Sequence, residues 1–380
     1  MRFRTRCVHA GNKKDPQTGA VVPPIYSAST FVQPEAGEFG EFDYSRTGNP
    51  TRKNLEVSIS SLENGTGALA YSSGMAATHG AVMLLNSGDH IVAGTDIYGG
   101  TYRLLHKVCN KAGVSVTLAD STNVENLEKA VTDNTKMLWL ESPGNPLMSI
   151  TDIEKCSAWA KEHGLLVGID NTLATPVLTR PLDLGVDIVQ HSATKYLGGH
   201  SDALGGLLVF REQKLFEEAH FLQNATGAVM SPWDAFLISR GIKTLELRVR
   251  QHCENAMKIA EFLDQHERVQ KVFYPGLEGH PGRDIAAHQM GGQFGGMLSF
   301  EVVGQYDDAK KVVDRTQLFQ LAVSLGAVES LIEHPPSMSH AAYDRDDRIK
   351  HGINDTLIRL SVGIENIEDQ IADLEQALNS

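Results

Sequence analysis

The chain has 380 residues, 41% of them hydrophobic and 21% charged, ordinary proportions for a soluble globular protein with two or three domains. A formal net charge of −13 argues against nucleic acid or an anionic membrane as the main partner. No apolar run approaches the roughly 18 residues of a spanning helix, and no apolar signal core follows the basic start Met1–Arg6.

Four cysteines, Cys7, Cys109, Cys156 and Cys253, form no Cys-x-x-Cys pair, so free thiols in a reducing cytoplasm are expected. Residues 1–55 carry Pro16, Pro23, Pro24, Pro34 and Pro50 among many glycines. That composition predicts an extended arm lying on its own chain or on a partner subunit. Taken alone, Tyr44 and Arg46 in its polar loop read as surface residues.

From Leu55 the pattern alternates. Short apolar runs at 67–71, 90–93, 115–118, 137–141, 165–170 and 188–189 are separated by helical stretches such as 124–131 and 153–162. This predicts a mostly parallel sheet covered on both faces, with ligands at the carboxyl ends of its strands. Polar residues fall at those ends: Ser72-Ser73-Gly74, Glu141 to Pro146, Asp170-Asn171-Thr172 and Ser192-Ala193-Thr194-Lys195. Helical text from Ser231 to Phe262 leads to a smaller unit. It has strands at 296–301 and 357–362, a helix over 307–315, and a closing amphipathic helix over 367–378. The expected division is an arm (1–55), a main domain (56–240) and a C-terminal domain (241–380).

A lysine after a buried strand loses its proton more easily near apolar walls or other cations, and then attacks aldehydes. Lys195 has that position, and a solvated strand-end lysine is the plain alternative. Asp170 ends another buried strand, where an unpaired carboxylate is costly. It is either a structural cap or ion pair, or a partner for a cationic ring nitrogen. Ser73-Gly74-Met75 opens a helix whose amides suit an anion, and Ser192 and Thr194 add hydroxyls. Tyr98 is placed to stack on a ring. Arg359, in the apolar strand Leu357-Ile358-Arg359-Leu360, needs a carboxylate from a substrate or from the protein itself. An aldehyde-seeking lysine, an aspartate for a ring nitrogen and a phosphate cup together describe pyridoxal phosphate. Histidine pairs such as His280/His288 and His334/His340 lack ligand spacing, so no metal is expected, and His200 reads as a hydrogen-bonding residue.

Across nearly its whole length the chain resembles the cystathionine gamma-lyase/gamma-synthase family of pyridoxal-phosphate enzymes. The resemblance rests on Gly19–Tyr26, Tyr44–Arg52, Ser192–Asp202, Glu329–Pro335 and Ile358–Gly363. It implies an α/β, aspartate-aminotransferase-like (type I) fold: a mostly parallel central sheet flanked by helices, an N-terminal arm and a smaller α+β C-terminal domain. It also implies a homotetramer of paired active dimers. By the same resemblance Lys195 holds the cofactor and moves protons, with Tyr98 stacking on the ring and assisting. Asp170 holds the ring nitrogen. Gly74, Met75, Ser192 and Thr194 bind the phosphate, and Tyr44 and Arg46 reach the phosphate of a neighbouring subunit. Asn145, Ser324 and Arg359 orient the substrate carboxylate.

Four positions bear on the subfamily. Methionine gamma-lyases carry a cysteine where this chain has Gly100, and Arg103 and Asp43 match residues that cystathionine enzymes use toward the distal end of the substrate. Val323, by contrast, stands where cystathionine enzymes commonly have glutamate. The resemblance therefore implies cystathionine gamma-lyase first. Gamma-synthase or a homoserine-ester sulfhydrylase, and methionine gamma-lyase, follow as alternatives. A non-catalytic ligand sensor on the same fold, or a cofactor-free aldolase, would not need this full set of residues.

Overall fold

The structure is a computed structural model describing residues 1–341 and 344–379. Its larger sheet contains β1 (Gly67–Tyr71), β2 (His90–Gly94), β3 (Ser115–Ala119), β4 (Thr135–Glu141), β5 (Leu166–Asp170), β6 (Ile188–Ser192) and β7 (Gly206–Phe210). The order is β1-β7-β6-β5-β4-β2-β3, with β7 antiparallel between β1 and β6 and the other strands running one way.

Around this sheet lie α1 (Phe3–His9), α2 (Pro50–Glu63), α3 (Gly74–Val82), α4 (Gly99–Arg103), α5 (Val124–Ala130), α6 (Ile153–Glu162), α7 (Thr175–Leu178) and α8 (Gln213–Thr226). Side chains alternate between the sheet's two faces, as strand geometry requires. Ala68, Ala70, Leu138, Leu140, Val189 and Val209 pack with Leu55, Ile59 and Leu62 of α2. Leu69, Tyr71, Met137, Trp139, Ile188 and Leu208 pack with Ala77 and Ala81 of α3 and Ala219 of α8. With both faces covered, the strands read as continuous apolar runs.

Next come α9 (Pro232–Ile242) and the 20-residue α10 (Leu245–Asp264), which joins the two halves. Leu245, Val249 and Cys253 belong to the large core, whereas Ala256, Ile259 and Leu263 belong to the second. The second sheet contains β8 (Val269–Phe273), β9 (Met297–Val302), β10 (Gln320–Leu321), β11 (Leu331–Glu333) and β12 (Leu357–Ser361), in the order β10-β11-β12-β9-β8. All its pairings are antiparallel except β10 with β11. The remaining helices are α11 (Arg283–Gln289), α12 (Tyr306–Arg315), α13 (Arg345–Lys350) and α14 (Ile367–Leu378).

The N-terminal region departs from a wholly extended arm. Residues 3–9 form α1, with Cys7 only 1% exposed and Arg4 paired to Glu246 of α10 at 2.8 Å. The irregular stretch is 10–49, and α2 begins inside the expected arm. Asn49 caps α2 by accepting from Thr51 and Arg52 N–H, while its own amide donates to Tyr26 O and Ser45 Oγ. Arg52 donates to the carbonyls of Ser45 and Arg46 at 2.6 and 3.1 Å. Among the described residues, no helix is long and apolar enough to cross a membrane.

Candidate active site

One cavity of about 450 Å³ opens at the carboxyl ends of β4, β5 and β6, facing the second sheet. Its lining includes Gly74, Met75, Tyr98, Arg103, Asn145, Asp170, Ser192, Thr194, Lys195, Ser324 and Arg359, so most of the expected site residues meet there. Asp43, Tyr44 and Arg46 do not line it. Tyr44 is 47% exposed, and Arg46 lies 5.6 Å from its ring and donates to Asn224 O.

Lys195 lies in the turn after β6 and donates to Ser324 Oγ at 2.5 Å. Burial, reinforced by the Arg359 charge, lowers its pKa to about 8, against the opposing pull of Glu333 and Asp170. Ser324 has φ 94°, a conformation L-residues rarely adopt, and such strain clusters at functional sites. Asp170 is 8% exposed and accepts Thr172 N–H at 2.9 Å. Burial raises its pKa, and Thr172, His191 and Lys195 act to lower it. Among the described residues no ion pair engages this carboxylate, so a cationic ring nitrogen in the cavity would supply the missing partner.

The cup at α3 is built by close backbone approach. Ser73 caps α3 by accepting Ala76 N–H at 3.1 Å, leaving the first amides of the helix without intrahelical partners. Gly206 packs so tightly that a Cβ there would sit 2.1 Å from Ser73 O. A Cβ on Gly74 would meet Ser192 Cβ at 2.9 Å. Helix amides, the Ser192 hydroxyl, an unpaired carboxylate and a neutralisable amine fit pyridoxal phosphate. The Thr194 hydroxyl is already bonded to Gly205, accepting its N–H at 3.0 Å.

Across the cavity, Arg359 is 4% exposed. It donates to Asn145 Oδ1 at 3.1 Å and Ser324 O at 2.8 Å, and pairs with Glu333 Oε1 at 3.2 Å. Arg359 is thus internally paired and also lies on the cavity lining. Arg103, at the end of α4, is exposed, and among the described residues no ion pair engages it. Val323, 59% exposed, also lies on the cavity lining. Gly100 leaves room for Tyr98, because a Cβ there would meet the tyrosine ring at 2.3 Å. His200 bonds Gly198 O through Nδ1 at 2.7 Å.

Sequence reasoning assigned no role to several lining residues, among them Glu141, Thr172, Gln190, Glu333 and Ser339. Glu141 accepts Tyr98 N–H at 2.8 Å, and Thr172 Oγ1 accepts Ser192 N–H at 2.8 Å. Gln190 donates to Gly74 O at 3.3 Å, and Ser339 donates to Glu333 at 2.7 Å. Glu141 was findable: it ends a buried strand just as Asp170 does. Glu333 faces Arg359 only through β11–β12 pairing, which no local pattern announces.

Comparison with known proteins supports pyridoxal phosphate as the cofactor. The family model described as "Cys/Met metabolism PLP-dependent enzyme" matches residues 4–379. A cystathionine beta-lyase of Coxiella burnetii is 51% identical, covering 98% of this chain and 97% of its own. A cystathionine gamma-lyase of Bacillus subtilis is 50% identical over 100% of both chains. A cystathionine gamma-synthase of Mycobacterium leprae is 48% identical, covering 99% and 96%. The crystal structure of cystathionine gamma-lyase from Lactobacillus plantarum complexed with L-serine superposes with a TM-score of 0.97 at 47% identity, covering 100% of this chain and 99% of that one. The fold is thus the aspartate-aminotransferase-like one, and the chain belongs to the Cys/Met-metabolism family of pyridoxal-phosphate-dependent enzymes.

Proposed function

We propose that the enzyme cleaves L-cystathionine on its γ side, consuming water and releasing L-cysteine, 2-oxobutanoate and ammonia. The observation that carries this reading is a pair of guanidinium groups in one cavity. Arg359 is buried and held by Asn145 and Glu333, while Arg103 is exposed at the lining and in no ion pair among the described residues. Cystathionine has an α-carboxylate at each end and methionine has one, so two cations suit the longer substrate.

When bound, pyridoxal phosphate supplies an aldehyde for an amino group and a ring that takes up the electrons of a broken C–H bond. In this reading the residues act as follows. Lys195, neutral at mildly alkaline pH, takes the proton from the substrate's α-carbon and returns protons to neighbouring carbons. Asp170 keeps the ring nitrogen protonated, and Tyr98 covers the ring. Arg359 with Asn145 fixes the nearer carboxylate and Arg103 holds the distal one. Tyr44 and Arg46 serve the phosphate of a neighbouring copy, within a homotetramer of paired dimers. We place the enzyme in the cytoplasm, a setting that suits its four free cysteines, all buried.

The test is product analysis with cystathionine, methionine, and an O-acyl-homoserine plus cysteine offered in parallel. 2-Oxobutanoate with cysteine supports the proposal. Methanethiol from methionine, or cystathionine built from the ester, rejects it and makes Val323 the better guide. Pyruvate with homocysteine would establish β-side cleavage, a second reading favoured by the 51% identity to a protein named cystathionine beta-lyase.

A further inference from the structure

Glu141 closes β4 and Asp170 closes β5, and the two are register partners on adjacent parallel strands. Such strands lie about 4.8 Å apart, so the carboxylates enter the cavity side by side. Glu141 is 4% exposed and Asp170 8%. Two buried carboxylates this close do not both stay ionised. The surroundings decide which one keeps a proton. Asp170 accepts from Thr172, and His191 and Lys195 act to lower its pKa. Glu141 has one backbone N–H, from Tyr98, and Asp170 and Asp96 as unfavourable neighbours, with Arg359 the opposing cation. Burial first, then the Asp170 charge, raises the Glu141 pKa well above its usual value.

We propose that Glu141 is a positioning residue: a neutral carboxylic acid that anchors Tyr98 by accepting its backbone N–H and leaves Asp170 as the ionised partner for the ring nitrogen. The inference rests on the reading of Asp170 given above. Tyr98 stands at the start of α4, where its own side chain makes no capping bond. Its backbone N–H bond to Glu141 therefore ties the α4 entry to the end of β4. An ionised Glu141 would add a second negative charge beside Asp170 and force one of the two to neutralise.

The experiment is infrared difference spectroscopy of the pyridoxal-phosphate-loaded protein at about pH 8.5, where ordinary carboxyls are fully ionised. Glu56, pushed up to about 7 by burial, is largely ionised there too. Wild type should show the deuterium-sensitive carbonyl stretch of a neutral carboxylic acid, and Glu141→Gln should lack it. Glutamine keeps a carbonyl acceptor for Tyr98 N–H, so its cofactor Kd should stay within about threefold and the induced dichroism of the cofactor band should persist. Glu141→Ala should raise that Kd about tenfold and weaken the dichroism. Absence of the band, or a Gln variant that falls as far as the Ala variant, overturns the proposal. If the Gln variant does not fold, wild type labelled with 13C-glutamate or 13C-aspartate decides: a band shifted by the aspartate label overturns it, and one shifted by the glutamate label upholds it. Unchanged cofactor affinity in Asp170→Ala would instead defeat the Asp170 assignment, whatever the glutamate band does.

Discussion

In the cavity, Glu141, Asp170, Asn145 and Arg359 are all under one-tenth exposed and hydrogen-bonded, whereas in the stretch 10–49 Tyr44 is 47% exposed, Phe39 76% and Val32 99%. In this first region the four residues lie on strands or in the turn just after one. The second leaves several apolar side chains exposed and is tied down chiefly through Asn49 and Arg52. Preorganised chemistry needs rigid elements beneath it. An arm that reaches for another molecule needs only a firm hinge.

The sharpest test of the first region is Lys195→Ala, which should abolish turnover and the absorbance of lysine-bound cofactor; a variant with substantial turnover would overturn the role of Lys195. The pKa of about 8 gives a companion measurement. A neutral amine is the reactive form, so cofactor uptake by the apoprotein should accelerate as pH rises, with a midpoint near 8 in stopped-flow absorbance. A midpoint near the ordinary lysine value would mean that the amine is not buried. Next in size is Arg359→Lys, which loses the fork to Asn145 and Ser324 O and leaves Glu333 poorly matched. KM should rise about 30-fold, the effect of roughly 2 kcal/mol.

The arm offers smaller effects. Arg46→Ala should raise the cofactor Kd about tenfold, the scale of one charge-assisted hydrogen bond. A fully loaded, active monomer in analytical ultracentrifugation would show that the arm serves no neighbour. Asn49→Ala removes a helix cap and two arm contacts, and should lower stability by about 1–2 kcal/mol. Limited proteolysis within 10–49 should speed up before the strands loosen. Uniform loosening would erase the contrast between the regions.

Much of this was legible from residue patterns. The runs that became β1 to β6 announced themselves as apolar segments, and the end of α14 matched its amphipathic period. Asp170 and Lys195 were readable because buried charge at a strand end is expensive wherever it occurs. β7 carries an equally apolar run, but no local pattern tells that it inserts antiparallel between β1 and β6. α1 was hidden because seven residues cannot sustain a helix in water; its packing on α2 and α10 holds it. The Arg359–Glu333 pair and the strain at Ser324 arise from tertiary arrangement, so neither leaves a local trace.

The close approach of Gly206 to Ser73 and of Gly74 to Ser192 has an evolutionary consequence. At those positions any added carbon meets backbone or a packed side chain, so drift is blocked where the proposed phosphate cup is made. Val323 and Arg103, exposed on the same cavity, face no such barrier. A lineage can therefore change what enters the cavity while inheriting the cofactor end unaltered. Relatives near 50% identity named for three different reactions are what such a division of mutational freedom would leave behind.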